Sequence, residues 1–194
     1  VASCDYSEDV RISEPILLRI AEAYRKIRNT FRYLLANLAD FDPARHIQPL
    51  DQLPEIDRWM LQRTQSILDE VTAAYEGYQF HHIFKAVYAF CVVDLSSCYL
   101  DALKDRLYTE AADAPARRCA QTVLYAILGA LVRTLAPVLS FTADEVWQAM
   151  RAARLVDGAS VHLADWPVPL VRQRDAELDK RWAMFMAVRE AVMK

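Results

Sequence analysis

The stretch AEAYRKIRNTFRYLLANL, residues 21–38, carries two opposed faces of different chemistry over several helical turns. With the preceding residues included, Ile16, Ile20, Tyr24, Ile27, Phe31, Leu34 and Leu38 recur at steps of three and four, which puts them on one side of a helix. At about 100° per residue, Arg25, Arg28, Asn29 and Arg32 fall roughly opposite. One face can therefore be buried while the other offers guanidinium forks, whose planar donors suit carboxylate and phosphate oxygens in pairs. A solvated helix back is the plain alternative. The local balance argues against it: five basic residues and one acid, Glu22, lie between Arg19 and Arg32 in a chain of net charge -3.

Working outward, 194 residues suffice for one domain with a real core, burying on the order of 70% of the unfolded surface. A hydrophobic content of 54% with only three glycines favours helices, because little material is left for tight hairpins. No apolar run is read as long enough for a membrane span, and the start lacks a signal-peptide pattern, so the expected location is cytoplasmic. Cys4, Cys91, Cys98 and Cys119 form no C-x-x-C pair, and buried free thiols are expected. The acidic balance means that any nucleic-acid site must be a local basic stripe.

In chain order, residues 1–11 are short and mixed, with Asp5, Glu8 and Asp9 close together and no initiator methionine, as if cut from a longer protein. Ser13 is placed as N-cap, with Glu14 and Pro15 in the first turn of a helix running to Leu38. A connector with three prolines follows. A second helix is predicted over 54–76, with Ile56, Met60, Ile67, Leu68, Val71 and Tyr75 inward and Gly77 as its stop. The third, over 80–107, carries apolar residues on much of its circumference and is predicted to be central. A fourth opens at Asp113 and Pro115 and closes at Pro137, with Val123, Leu124, Ile127, Leu128, Leu131 and Leu135 as core. Thr142 and Glu145 form a capping-box pattern for a fifth helix, to about Ala153. The stretch SVHLADWP, residues 160–167, is predicted to be extended. Residues 177–194 form a further amphipathic helix with Leu178, Trp182, Phe185 and Val188 on one face, which stops at Lys194 without a cap, as though also cut. The fold class is all-α, an antiparallel helical bundle.

An enzyme site is hard to find. His81 and His82 diverge on a helix and cannot share a metal as an H-x-x-x-H pair does. Asp94, Ser96, Ser97 and Asp101 suggest a hydrogen-bonded kink or an inter-helix contact rather than a nucleophile with its base. Gly77, Gly129 and Gly158 stand alone, so no phosphate-cradling loop is present. Asp101, Lys104, Asp105 and Arg106 are placed on a salt-laced surface, Trp147 and Trp166 in the core, and Arg117 with Arg118 as a second basic spot favouring an external anion.

The runs VASCDYSEDVRIS, AYRKIRNTFRYLLANLADFDP, LPEIDRWMLQR, YQFHHIFKAVYAFCVVDLSSCYLDALKDRLY, LAPVLSFTADEVW and SVHLADWP, in that order and over nearly the whole chain, closely resemble the anticodon-binding region of the bacterial-type isoleucyl-tRNA synthetase family. The resemblance implies a helical bundle of the class I synthetase type over residues 1–167, with 168–194 as the start of a C-terminal extension. It implies tRNA and the catalytic domain of the same parent chain as partners, with no membrane. Arg25, Lys26, Arg28, Asn29 and Arg32 are the positions it places nearest the RNA backbone.

The HIGH and KMSKS motifs are absent from this sequence, so catalysis by an isoleucine–tRNA ligase using ATP with magnesium is expected of the parent protein only. No cofactor is expected in this stretch. In many family members the C-terminal extension holds a cysteine-ligated zinc, and the resemblance puts that zinc-bearing part beyond Lys194. The alternatives are a helical protein-interaction module and the same domain from a valyl or leucyl enzyme; the RKIRNT and FCVVDLSS runs look like the isoleucyl branch.

Overall fold

The computed structural model describes residues 3–7, 9–10 and 12–192. Glu8 of the opening acidic stretch and the expected end at Lys194 lie outside the described residues. Helix α1, Glu14–Ala36, opens at Pro15 with Ser13 in extended backbone, although the Ser13 hydroxyl caps nothing. It buries Ile27, Thr30, Phe31 and Leu34, and ends two residues before Leu38 because Asn37 folds its side-chain amide back onto the Tyr33 carbonyl at 2.9 Å. The proline-rich connector holds one α-helical turn, α2, Pro43–His46, capped by the Asp42 carboxylate, which accepts from the Ala44 amide at 2.9 Å, and a 3-10 turn, Leu50–Gln52.

Helix α3, Glu55–Glu76, ends in a Schellman turn: the Gln79 amide donates to the Ala74 carbonyl at 2.7 Å and the Tyr78 amide to that of Tyr75 at 3.0 Å. The left-handed residue of that turn is Tyr78, at φ 54°, and not the expected Gly77, which sits one position early at φ -85°. The predicted third helix is one continuous rod in outline but several elements in hydrogen bonding. Helix α4, Phe80–Ala89, passes into a π-helical segment, Phe90–Tyr99, followed by the turn α5, Leu100–Ala102, and by α6, Lys104–Tyr108. The polar residues read as a kink or an inter-helix contact supply both. Ser96 donates to the Cys91 carbonyl five residues back at 2.7 Å, and Ser97 to that of Val93 at 2.7 Å. Asp94 accepts from Arg63 of α3 at 3.0 Å.

This rod is the central element, with Ile83, Val87, Phe90, Cys91, Leu95 and Tyr99 buried. The expectation that no apolar run reaches membrane-span length needs correction: Phe80–Ala102, at a mean hydropathy of 1.5, is long and apolar enough by length and composition. Its apolar side chains are used in the core, and 56% of that window is buried. All four cysteines are free, and burial pushes the Cys91 thiol up to about 12, far from thiolate chemistry.

Helix α7, Pro115–Leu135, buries the six predicted residues Val123, Leu124, Ile127, Leu128, Leu131 and Leu135. Helix α8, Ser140–Ala152, begins two residues before the predicted cap, so Thr142 and Glu145 form no capping box; both turn towards α1 instead. Trp147 is buried and donates to the Gly158 carbonyl at 2.7 Å, and a Cβ at Gly158 would meet the indole at 3.1 Å, which is why a glycine stands there.

The stretch expected to be extended is a 3-10 turn, Val161–Leu163, because the Asp144 carboxylate gathers the Ser160 hydroxyl at 2.7 Å and the Val161 amide at 3.2 Å. There is no strand among the described residues. Trp166 is not core: it is 40% exposed and donates to Thr72 at 3.1 Å. Helix α9, Ala176–Val192, packs on the bundle through Leu178, Trp182 and Met186, the last against Cys98 of the π-helical segment at 3.7 Å, a stripe at steps of four that leaves Phe185 and Val188 outside. Trp182 stacks on Trp59 at 4.4 Å.

One side chain on the apolar stripe of α3 is charged. Asp57 is 0% exposed and accepts two bonds from Arg106, at 3.0 and 2.6 Å, and one from the Tyr99 hydroxyl at 2.7 Å. Arg106, expected on a salt-laced surface, also donates to the Ala116 carbonyl at 2.8 Å, so it ties α3, α6 and the start of α7 together. Burial works against the Arg106 charge, but hydrogen bonding to Asp57 outweighs it and raises the pKa.

Arg106→Met strands a buried carboxylate and is expected to destabilise the fold by about 3–5 kcal/mol in urea titration; pairing it with Asp57→Leu should recover much of that loss. A loss under about 1 kcal/mol would refute the anchoring role. At the end of α8, Arg154 holds φ 59°, and Arg154→Gly is expected to raise stability by about 0.5–1 kcal/mol, read from the same titration.

Candidate nucleic-acid interface

Helix α1 is held from both sides. On one, Tyr24 shares a hydrogen bond with Thr142 of α8 at 2.9 Å; on the other, the Tyr33 hydroxyl donates to the Leu100 carbonyl at 3.5 Å. Its buried residues thus fix which way the remaining positions face.

The structure divides the five predicted contact residues into two stripes about 100° apart on the helix. Arg25, Arg28 and Arg32 form the first. Arg25 and Arg32 are exposed, and no hydrogen bond or ion pair engages either among the described residues. Arg28 leans towards α8, where one terminal nitrogen donates to Glu145 at 2.9 Å, with side-chain exposures of 41% and 63% for the pair. A pair this open contributes about 0–1 kcal/mol, so a phosphate can take the place of Glu145 at little cost.

Lys26 and Asn29, with Tyr33, form the second stripe and face the π-helical segment. Lys26 donates to the Tyr88 hydroxyl at 3.2 Å and lies 5.6 Å from that ring's centroid, a cation–π contact. Asn29 is exposed. The Tyr33 phenol is held protonated, first by burial and then by its neighbour Tyr108. Sequence reasoning missed Tyr33 and Tyr88 as neighbours of the basic residues. The spacing 26, 29, 33 was the available signal for Tyr33; nothing local points to Tyr88.

The second basic spot is not a site for an external anion. Arg117 pairs with Asp40 at 2.9 Å, and Arg118 with the same carboxylate at 3.4 Å. Burial alone would raise the Asp40 pKa, but hydrogen bonds from Arg117 and Gln121 hold it below the usual carboxylate range. Among the described residues no cluster of three His, Cys, Asp or Glu side chains is placed to hold a metal ion. What the α1 surface offers is a row of guanidinium donors backed by a rigid bundle, suited to an array of oxyanions.

Comparison with known proteins bears on what that array is. The family model for the anticodon-binding domain of tRNA ligase matches residues 57–194. Among curated relatives, an isoleucine–tRNA ligase from Geobacter sulfurreducens is 52% identical over 194 residues, which is 100% of this chain and 21% of that protein. One from Moorella thermoacetica is 47% identical over 199 residues, again 100% and 21%. One from Desulfitobacterium hafniense is 46% identical over 194 residues, with the same coverage. The chain thus spans about a fifth of the length of these relatives.

Proposed function

The chain belongs to the family of anticodon-binding domains of tRNA ligases, and from that premise we propose that its α1 surface holds the anticodon stem of a transfer RNA for a parent isoleucine–tRNA ligase. The observation that carries the reading is the pair Arg25 and Arg32, exposed on the side of α1 away from the core and free of internal partners among the described residues. Arg28 lies between them, and Lys26 and Asn29 extend the polar surface towards the π-helical segment.

Contacts of this kind position an RNA by its phosphates without reading sequence, which suits a stem whose base edges lie in a deep groove. The parent would join isoleucine to its tRNA with ATP and magnesium in a catalytic domain, and a zinc would belong to its C-terminal extension. The isoleucyl branch is preferred to the valyl and leucyl ones because the three relatives above are isoleucine–tRNA ligases. The same proposal places the protein in the cytoplasm, off the membrane, and treats residues 1–167 as the RNA-holding bundle and 168–194 as the lead into the extension. The catalytic domain of the parent is the proposed partner for Leu17, Leu18 and Phe141, large apolar side chains exposed near the starts of α1 and α8.

Replacing Arg25, Arg28 and Arg32 together with Glu is expected to weaken binding of isoleucine tRNA and to lower the slope of log K against log salt by about one unit per lost phosphate contact. Gel shifts over a salt series measure this. A folded triple variant with an unchanged slope would contradict the assignment, and a preference of the wild-type chain for a polyacidic peptide over tRNA would favour a protein-interaction module.

A further inference from the structure

A cavity of about 270 Å³ lies between α7, the end of α8 and residues 167–170, and none of the residues that line it belongs to α1. Its wall is largely apolar, with Ile47 from the connector, Met150 from α8, and Val156 and Leu170 from the segments that follow. The volume is just under the range of sites for drug-sized ligands, about 300–1,000 Å³, so its occupant is smaller than those.

Three polar side chains line the cavity, Thr122, Tyr125 and Arg133, and two of them are engaged within the fold. The Thr122 hydroxyl donates to the Arg118 carbonyl at 2.8 Å and accepts from the Gln48 amide at 3.0 Å. The Tyr125 hydroxyl donates to the Leu155 carbonyl at 3.1 Å. Arg133 is different. Its Nε is buried without a hydrogen-bond partner, and no hydrogen bond or ion pair engages its guanidinium among the described residues. The guanidinium carbon lies 5.7 Å from the centroid of the Trp147 ring, and that indole is itself held by its bond to the Gly158 carbonyl. Such a contact orients the cation without using its N–H donors.

Gly129 is an independent observation. It stands in the interior of α7, where glycine costs stability relative to alanine, and a Cβ there would meet nothing within 4 Å. Close packing therefore does not require a glycine, as it does at Gly158. A side chain at this position would instead take up room on the cavity wall.

An apolar body and one unpaired guanidinium define the ligand. A neutral apolar molecule would leave the buried Nε without an acceptor. A phosphate dianion would bring a second charge against apolar walls. A carboxylate matches the guanidinium fork in both charge and geometry. We propose that this cavity binds a small apolar monocarboxylate, with its carboxylate on Arg133 and its hydrocarbon body over Gly129 against Met150, Val156 and Leu170. This site does not depend on the tRNA reading above.

The test titrates the methyl-labelled chain with three probes and follows its methyl signals by NMR. Octanoate carries both the charge and the apolar body, 1-octanol the body alone, and acetate the charge alone. Octanoate is expected to shift the signals of Ile47, Met150, Val156 and Leu170 to saturation, and to bind about ten-fold or more tightly than either other probe. Arg133→Leu is expected to weaken octanoate about ten-fold, to the level of 1-octanol. Gly129→Leu, which fills the cavity with a good helix former, is expected to raise the thermal midpoint while abolishing octanoate binding. Opposite movements of stability and binding separate occupation of the site from damage to the fold. The inference is overturned if the four methyl signals do not respond to octanoate, or if 1-octanol or acetate binds as tightly. It is equally overturned if either variant, still folded, binds octanoate as the wild type does.

Discussion

A carboxylate with no access to solvent sets the geometry of this bundle. Asp57 sits where the pattern of α3 calls for an apolar residue, and removing it from water is costly unless its charge is paired and its oxygens accept hydrogen bonds. Arg106 gives two of those bonds as a fork and Tyr99 a third, and each comes from the long central rod. The end of that rod is thereby locked against α3, while the Arg106 bond to the Ala116 carbonyl joins the start of α7 to the same point. Helix α1 lies on the π-helical segment, α4, α7 and α8, so the direction its arginines face follows from where this anchor holds the rod.

Much of the bundle was legible because amphipathic periodicity is a local property. The inner faces of α1, α3 and α7 follow from steps of three and four, and the family resemblance followed from ordered runs of residues. What was not legible depends on pairings distant in sequence. Arg106 alternates with acids in the chain and looks like surface, yet its partner lies 49 residues away. Arg117 and Arg118 look free at a helix start until Asp40, on another element, closes over them. Thr142 and Glu145 have capping-box spacing, but the helix begins earlier and their side chains serve α1. The π-helical hydrogen bonding of residues 90–99 leaves no mark in the apolar pattern, although Ser96 and Ser97 had marked the place for a kink.

These internal pairings sharpen the functional surface. Arg106 is neutralised by Asp57, and Arg117 and Arg118 are both engaged by the single carboxylate of Asp40, which leaves the α1 row as basic surface of a different kind in an acidic chain. Within that row the structure distinguishes residues the sequence treated alike. Arg25 and Arg32 present open forks, Arg28 is held by an acid it can exchange, and Lys26 and Asn29 face the π-helical segment. A helix packed on both flanks can present such a row without the entropic loss that a loop would incur on binding.

The most direct measurement follows the arginine side-chain Nε–H signals by NMR while an isoleucine-tRNA anticodon stem–loop is added to the chain. The signals of Arg25, Arg28 and Arg32 are expected to move together, with those of Arg106, Arg117 and Arg118 unchanged. Movement confined to Arg117 and Arg118 or to the arginines of α9, with the α1 signals still, would contradict the claim that α1 is the surface that meets RNA.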